Sequence, residues 1–397
     1  MSFAILRQHC SRARGIPRLL LLAPLLALVV TACAQNQPAA VVGPPPVGNV
    51  TLNVAAQTPS EERLLNIGVQ VFATRATDEQ ITQAGAAIFA QIRRVETHYL
   101  PVVLRNTLVA SNQWGVVRVL PETDPSVDLL IQGTIVRSDG ANLVLQVRAS
   151  DSSDREWLNR TYVDTAGNAD YPDFVPSLRE RSTTTNLEDP FQDLHTQIAN
   201  DLLEVRESMD ALALLALAQL TQIKYAGDLS PEAFGSLVQP DAQGLLTLQR
   251  LPANNDPLLE HVAQIRARHY VFIDTIDEYY DALHNDLKPT YDVWRQYSHD
   301  QVVEEEDSAA SAAAGGTLSG SGSFEALSQN YNRYKWAKIF EQEFVALASG
   351  FVSETAPAVL KLSENVNGLT GPVEEQYAQW RVLLRELFEV ETVGLSQ

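Results

Sequence analysis

The chain is poor in cysteine, in methionine and in positive charge. Of its 397 residues two are cysteine, Cys10 and Cys33, two are methionine, and 29 Lys and Arg face 49 Asp and Glu, for a formal net charge of −20. If the first 32 residues are removed, as their pattern suggests, a single cysteine remains and stands at the new N-terminus. An internal disulfide, a thiolate zinc site and a buried catalytic thiol are then excluded together. The acidic excess repels phosphate backbones and anionic head groups, which disfavours nucleic acid as a partner and leaves any membrane attachment to another device. Also missing are a Gly-x-Ser-x-Gly elbow, a phosphate-binding loop, His-Glu-x-x-His and a dinucleotide fingerprint. The seven histidines, His9 among them, are scattered without ligand spacing.

What is present begins at the N-terminus. Arg7, Arg12, Arg14 and Arg18 stand in a stretch without acidic residues, the apolar run Leu19 to Val30 follows, and Thr31-Ala32 are small. Basic region, short apolar run and small residues form a secretory signal. The run is well short of the about 20 residues needed to cross a bilayer as a helix. Val30-Thr31-Ala32-Cys33 resembles the lipobox of bacterial lipoproteins, in which the cysteine after a small residue is acylated and becomes the mature terminus. An ordinary secretory signal with an incidental cysteine is the alternative. In lipoproteins of this kind an Asp after the cysteine retains the protein at the inner membrane; Ala34 stands here, so the resemblance implies the outer membrane of a Gram-negative bacterium, on the periplasmic side. Removal of residues 1–32 leaves 365 residues, with 25 basic and 49 acidic side chains and a formal charge of −24.

Residues 33–60 contain "NQPAAVVGPPPVGN", almost uncharged and rich in proline, and read as an extended tether. Within it "VTLNVA", Val50 to Ala55, suggests an edge strand. From 61 to 165 the pattern is mixed. "LLNIGVQVF" predicts a buried strand, and Ile92, Val95, Tyr99, Val102, Val103, Leu108 and Val109 a helix that starts or kinks near Pro101 and stops at Gly115. "VVRVLP" predicts a strand, residues 128–151 a hairpin turning at Ser138-Asp139-Gly140, and "EWLNRTYVD" one strand more. In "NLVLQVRAS" Leu143, Leu145 and Val147 alternate with Val144, Gln146 and Arg148, so the sheet has one apolar face and one mixed face. A two-layer α/β module follows.

This order, and most of all Ile131, Gly133, Asp139, Gly140, Leu143 and Asp151, resembles the small α/β module shared by several bacterial envelope proteins. Among these are the N-terminal domain of the Tol-system translocation protein, the curli-secretion lipoprotein and the lipoproteins that activate peptidoglycan synthases. The resemblance covers about a quarter of the chain and carries no catalytic signature, and fold does not by itself transfer function.

Residues 166–189 read as a linker, and 190–397 as helical. Asp189 is placed as an N-cap with Pro190 at the first helical position. "ALALLALAQL", apolar nearly all round, suggests a central buried helix. Further helices are expected at about 231–250, 257–287, 290–303, 325–352, 354–366 and 372–392, with Pro289 separating two of them and a low-complexity loop at 304–323. The fold class expected is α+β: a small two-layer α/β module followed by a mostly helical bundle domain.

Candidate chemistry concentrates in "FIDTIDEYYDALHND". On a helix Asp277, Asp281 and His284 share a face, the raw material of a metal site in a bundle. The other reading is an acidic solvent face, favoured because a di-metal site repeats Glu-x-x-His on two helices and no repeat occurs. Aromatics at Tyr331, Tyr334, Trp336, Phe340, Phe344, Trp380 and Phe388 suit either a bundle core or a groove for a partner. No catalytic residue and no cofactor is expected beyond a covalent lipid on Cys33. The expected partners are the bilayer, through acyl chains, and an envelope protein or peptidoglycan. The protein is then a non-enzymatic scaffold or regulator of envelope assembly; the alternatives are a component of a secretion or surface-assembly machine, and a metal-binding or hydrolytic helical domain. Cys33→Ser should abolish fatty-acid labelling and shift the chain from the membrane to the soluble fraction. A variant still acylated at the membrane would refute the cleavage assignment.

Overall fold

A computed structural model describes residues 44–75, 87–171, 188–253, 256–313, 369 and 371–395. The signal, Cys33, most of the 166–189 linker, the loop beyond 313, the helices expected at 325–352 and 354–366 and the aromatics from Tyr331 to Phe344 lie outside them.

The fold is α+β. Strand β1 (Ile67–Gln70) leads to the short β2 (Ala73–Thr74), helix α1 (Ala87–Ala110) and β3 (Val117–Leu120). Strands β4 (Leu129–Asp139), β5 (Asn142–Asp151) and β6 (Glu156–Thr165) then form an antiparallel meander. The order across the sheet is β3-β1-β4-β5-β6, with β1 parallel to both neighbours. Because β1 lies inside the sheet its first three residues are all buried, which explains an apolar run without alternation. In β5 the alternation is real: Leu143, Leu145 and Val147 are fully buried, whereas Val144 and Gln146 are half-buried and Arg148 is exposed.

Helices α1 and α2 (Gln192–Glu207) cover the apolar face. Helix α3 (Ala211–Leu229), the long α4 (Pro257–Ala313) and α5 (Val373–Leu395) form a second core with Val102 of α1 and Val119 and Leu120 of β3. The helices beyond residue 190 therefore pack directly on the sheet module, and Gly43–Gln397 forms one compact unit.

Several local expectations change. Pro101 and Pro289 both lie inside continuous helices, α1 and α4. Pro289 and Asn285, whose carbonyl it leaves without an intrahelical donor, are both exposed, so water can meet that carbonyl. Helix α1 ends at Ala110, before Gly115, and Asn112 just beyond it takes a left-handed φ of 52°. The expected helix at 231–250 is a single turn, Pro231–Phe234, followed by the hairpin β7 (Val238–Pro240) and β8 (Leu246–Leu248). The expected loop at 304–323 is helical through Ala313. Helix α2 begins two residues after Pro190, and Asp189 Oδ1 accepts the Phe191 N–H at 3.0 Å.

The described part of the tether, from Pro44, is extended but fastened. Val47 N donates to Val163 O on the outer side of β6, Val50 N to Asp193 Oδ1 and Asn53 N to Asn200 Oδ1, so the strand-like segment runs along α2. Ala55 N then reaches Ser111 O beyond the end of α1. Backbone groups that a free tether would leave to water are here bonded to the body.

The β4–β5 turn sets how closely α4 approaches the sheet. A Cβ on Gly140 would stand 2.2 Å from both Arg295 O and His299 N, backbone atoms of α4 that cannot rotate away. Gly140→Ala should cost about 1–3 kcal/mol by overpacking, read as a lower urea midpoint with an unchanged m-value; an unchanged midpoint would show that α4 does not bear on this turn.

Candidate functional site

Asp277, Asp281 and His284 do occupy one face of α4, and that face is turned toward α1 and β3. Arg105 of α1 grips Asp277 with two bonds, Nη2 to Oδ2 at 2.9 Å and Nε to Oδ1 at 3.2 Å, and reaches Asp281 Oδ1 with Nη1 at 3.1 Å. The backbone N–H of Val119 donates to Asp277 Oδ1 at 2.7 Å. One turn earlier Arg118 of β3 bonds Asp274 Oδ1 at 2.6 Å, and its guanidinium lies 4.7 Å from the Tyr270 ring centroid. His284 is buried and stacks on Tyr99, with centroids 4.3 Å apart. The row is partly exposed to solvent, Asp274 at 50% and Asp281 at 40%, and partly engaged: the carboxylates at 274, 277 and 281 neutralise two arginines. Burial pushes the Asp277 carboxyl up despite the Val119 N–H and the Arg105 charge. Among the described residues no group of three or more His, Cys, Asp and Glu is placed to hold a metal ion.

Two buried polar networks were not visible in the sequence, because their members are far apart along the chain. In the first, Arg295 of α4 bonds Asp189 Oδ1 at 2.9 Å and Tyr291 Oη at 2.7 Å, and Tyr291 donates to Glu96 Oε1 at 2.7 Å. Ser138 of the hairpin donates to the same Glu96 oxygen. Arg93 completes the set, donating to Glu96 Oε2 at 2.9 Å. Three separate parts of the chain and α4 are joined by charge-assisted bonds, which are stronger than neutral ones. His195 of α2 lies beside this network, wholly buried, with neither ring nitrogen bonded among the described residues. Burial pushes its pKa from 6.5 down to about 4, with Asp189 opposing the shift and Arg295 adding to it.

In the second network Asp124, in the loop after β3, meets His269 Nε2 of α4 at 2.6 Å, accepts the Ser126 N–H at 2.6 Å and accepts the Tyr377 hydroxyl of α5. Burial alone would raise its pKa, but the His269 ring and the Ser126 and Tyr377 donors hold the carboxyl well below the usual carboxylate range. A Ser, a His and an Asp side by side suggest nucleophilic chemistry. The geometry does not assemble it: Ser126 Oγ and His269 Nδ1 are both unbonded, hence not bonded to each other. Asp124, His269 and Tyr377 are all buried, so a substrate would have no approach to them. The arrangement locks α4 and α5 onto the loop.

A scan of protein-family models found none that matches the chain. A search of curated proteins found no match either.

The first network makes stability depend on pH. The fold favours the neutral His195 ring, whose folded pKa lies below its unfolded value. Its contribution is therefore complete above pH 6.5 and is lost as pH falls toward about 4. At 1.36 kcal/mol per pKa unit the full loss is about 3 kcal/mol. Asp164, raised by burial to about 6, acts with the opposite sign: its contribution is present below 3.8 and lost as pH rises through about 6. Because Asp164 is common to both proteins, urea unfolding of wild type and His195→Phe across pH 4–7 isolates the histidine. The difference in stability should change by roughly 3 kcal/mol over that range, and parallel curves would contradict the assignment.

Proposed function

We propose that this chain is an outer-membrane lipoprotein, held on the periplasmic side by acyl chains on Cys33, whose body serves as a non-enzymatic scaffold or regulator of envelope assembly by binding a protein or peptidoglycan partner. The observation that carries the reading is the position of Val30-Thr31-Ala32-Cys33 directly after the apolar run of the signal. Among the described residues no helix is long and apolar enough to cross a membrane, and in this reading the lipid alone does the holding. Each buried methylene of an acyl chain adds about 0.8 kcal/mol, so several chains anchor durably. Tethering raises the local concentration of the partner, which lets a modest interface suffice.

The body supports the reading in one further way. The side chains that offer chemistry in the sequence, Asp277, Asp281 and His284, are engaged in holding α4 to α1 and β3. Cross-linking in intact cells followed by mass spectrometry tests the proposal. An envelope protein or peptidoglycan should be recovered with wild type and lost when Cys33→Ser releases the chain from the membrane. Recovery of neither above background would remove the basis of the scaffold reading.

A further inference from the structure

Helix α3 begins with "ALALLALAQLTQI", thirteen residues without a charge. Its composition suggests a helix buried on all sides, and the structure buries only one: Leu214, Leu217, Leu220 and Ile223 face the core. On the other side Leu212 is 76% exposed and Leu215 46%, with Ala216, Ala218 and Gln219 exposed beside them. Isolated exposed leucines are ordinary, whereas a contiguous apolar group is not. This group has neighbours, since Val54, Val109 and Val116 are 59%, 55% and 47% exposed at the same end of the molecule.

Four contacts place them there. Ala55 N bonds Ser111 O, setting Val54 at the end of α1 where Val109 lies. Val116 N bonds Asn66 Oδ1 at 3.1 Å. The turn Glu61–Arg63 packs on α3. Beneath them the buried Arg206 bonds the carbonyls of both Arg63 and Gln113. Around the apolar residues stand Glu61, Glu62, Glu204, Glu207 and Asp210, and both Arg63 and the buried Arg206 are paired with Glu207, at 3.0 and 2.7 Å.

We propose that this end, centred on Leu212 and Leu215, is a docking surface for a protein segment that is apolar and flanked by Lys or Arg. The charge pattern selects the occupant. A second copy would bring the same acidic rim against itself, and like charges across an interface are strongly unfavourable. An anionic membrane surface is repelled by the same rim. A basic, apolar segment meets both features. The position agrees with the anchor: residues 47–53 run along α2 from its first turn toward this end. The described segment is first fastened near the other end of α2, a helix of 16 residues, about 24 Å away at 1.5 Å per residue. The surface therefore deepens the scaffold reading and rests on it.

The test uses the mature chain carrying Cys33→Ser and a fluorescent 14-residue peptide of leucine and lysine in helical amphipathic order. The peptide should bind, and a leucine–glutamate peptide of the same pattern should not. Leu212→Gln with Leu215→Gln should weaken binding at least tenfold, Val116→Gln less, and Val382→Gln, on α5, by under twofold. Three results would overturn the proposal: affinity within twofold of wild type in the double variant; binding to phosphatidylethanolamine–phosphatidylglycerol vesicles that the double variant abolishes; or self-association that it abolishes. In cells, a photo-cross-linker at Leu212 should capture the partner. Capture from Val382 but not Leu212 would sink this surface and leave the scaffold reading standing, whereas capture from neither would sink the scaffold reading itself.

Discussion

The carboxylate of Asp277 holds the two halves of the structure together. Strand β3 is an edge of the sheet, and an edge offers backbone N–H groups that must find acceptors. Helix α4 lies along that edge, and Asp277 takes the Val119 N–H with one oxygen while Arg105 grips both. Tyr270, Asp274 and Asp281 extend the seam along the same helix face, at intervals of three and four residues that a helix aligns. Once α4 is fixed there, α5 packs on it through Phe272, Tyr377 and Trp380, and α3 closes against both. The Asp124–His269–Tyr377 contacts and the Arg295 network are two further points at which α4 is pinned.

Local periodicity carried the sheet. The alternation from Leu143 to Arg148, the turn before Asn142 and the helical stripe from Ile92 to Leu108 follow from backbone geometry, which neighbours further along the chain do not alter. What sequence could not show are facts about such distant neighbours. The acidic row of α4 looks like a ligand set or a solvent face until Arg105 and Arg118, more than 150 residues earlier, are brought against it. Pro289 reads as a break, because nothing local says that it and Asn285, whose carbonyl it leaves free, are both exposed. "ALALLALAQL" reads as buried, because composition cannot distinguish a core helix from one that keeps an apolar side outward. Glu96, Asp189 and Arg295 form a network from three separate regions, and no spacing rule finds it.

The fastened N-terminal segment changes what a lipid anchor would do. With Val47, Val50, Asn53 and Ala55 bonded to the body, an acyl group on Cys33 would be 14 residues from the first of these bonds, a reach of at most about 50 Å. On the proposed anchoring, such a chain would hold the body near the membrane rather than let it roam. The segment from Val47 to Asn53 follows α2 from its first turn toward the exposed apolar residues around Leu212.

A double-mutant cycle measures the seam between α4 and the sheet edge directly. Asp277→Asn removes the charge but keeps an acceptor for Val119, and Arg105→Ala removes the grip. Unfolding by urea should show each single change costing about 2–4 kcal/mol and the double change well below their sum, with a coupling of at least ~1 kcal/mol. Strictly additive costs, or a stabilisation by added divalent metal that Asp281→Asn and His284→Gln abolish, would contradict it.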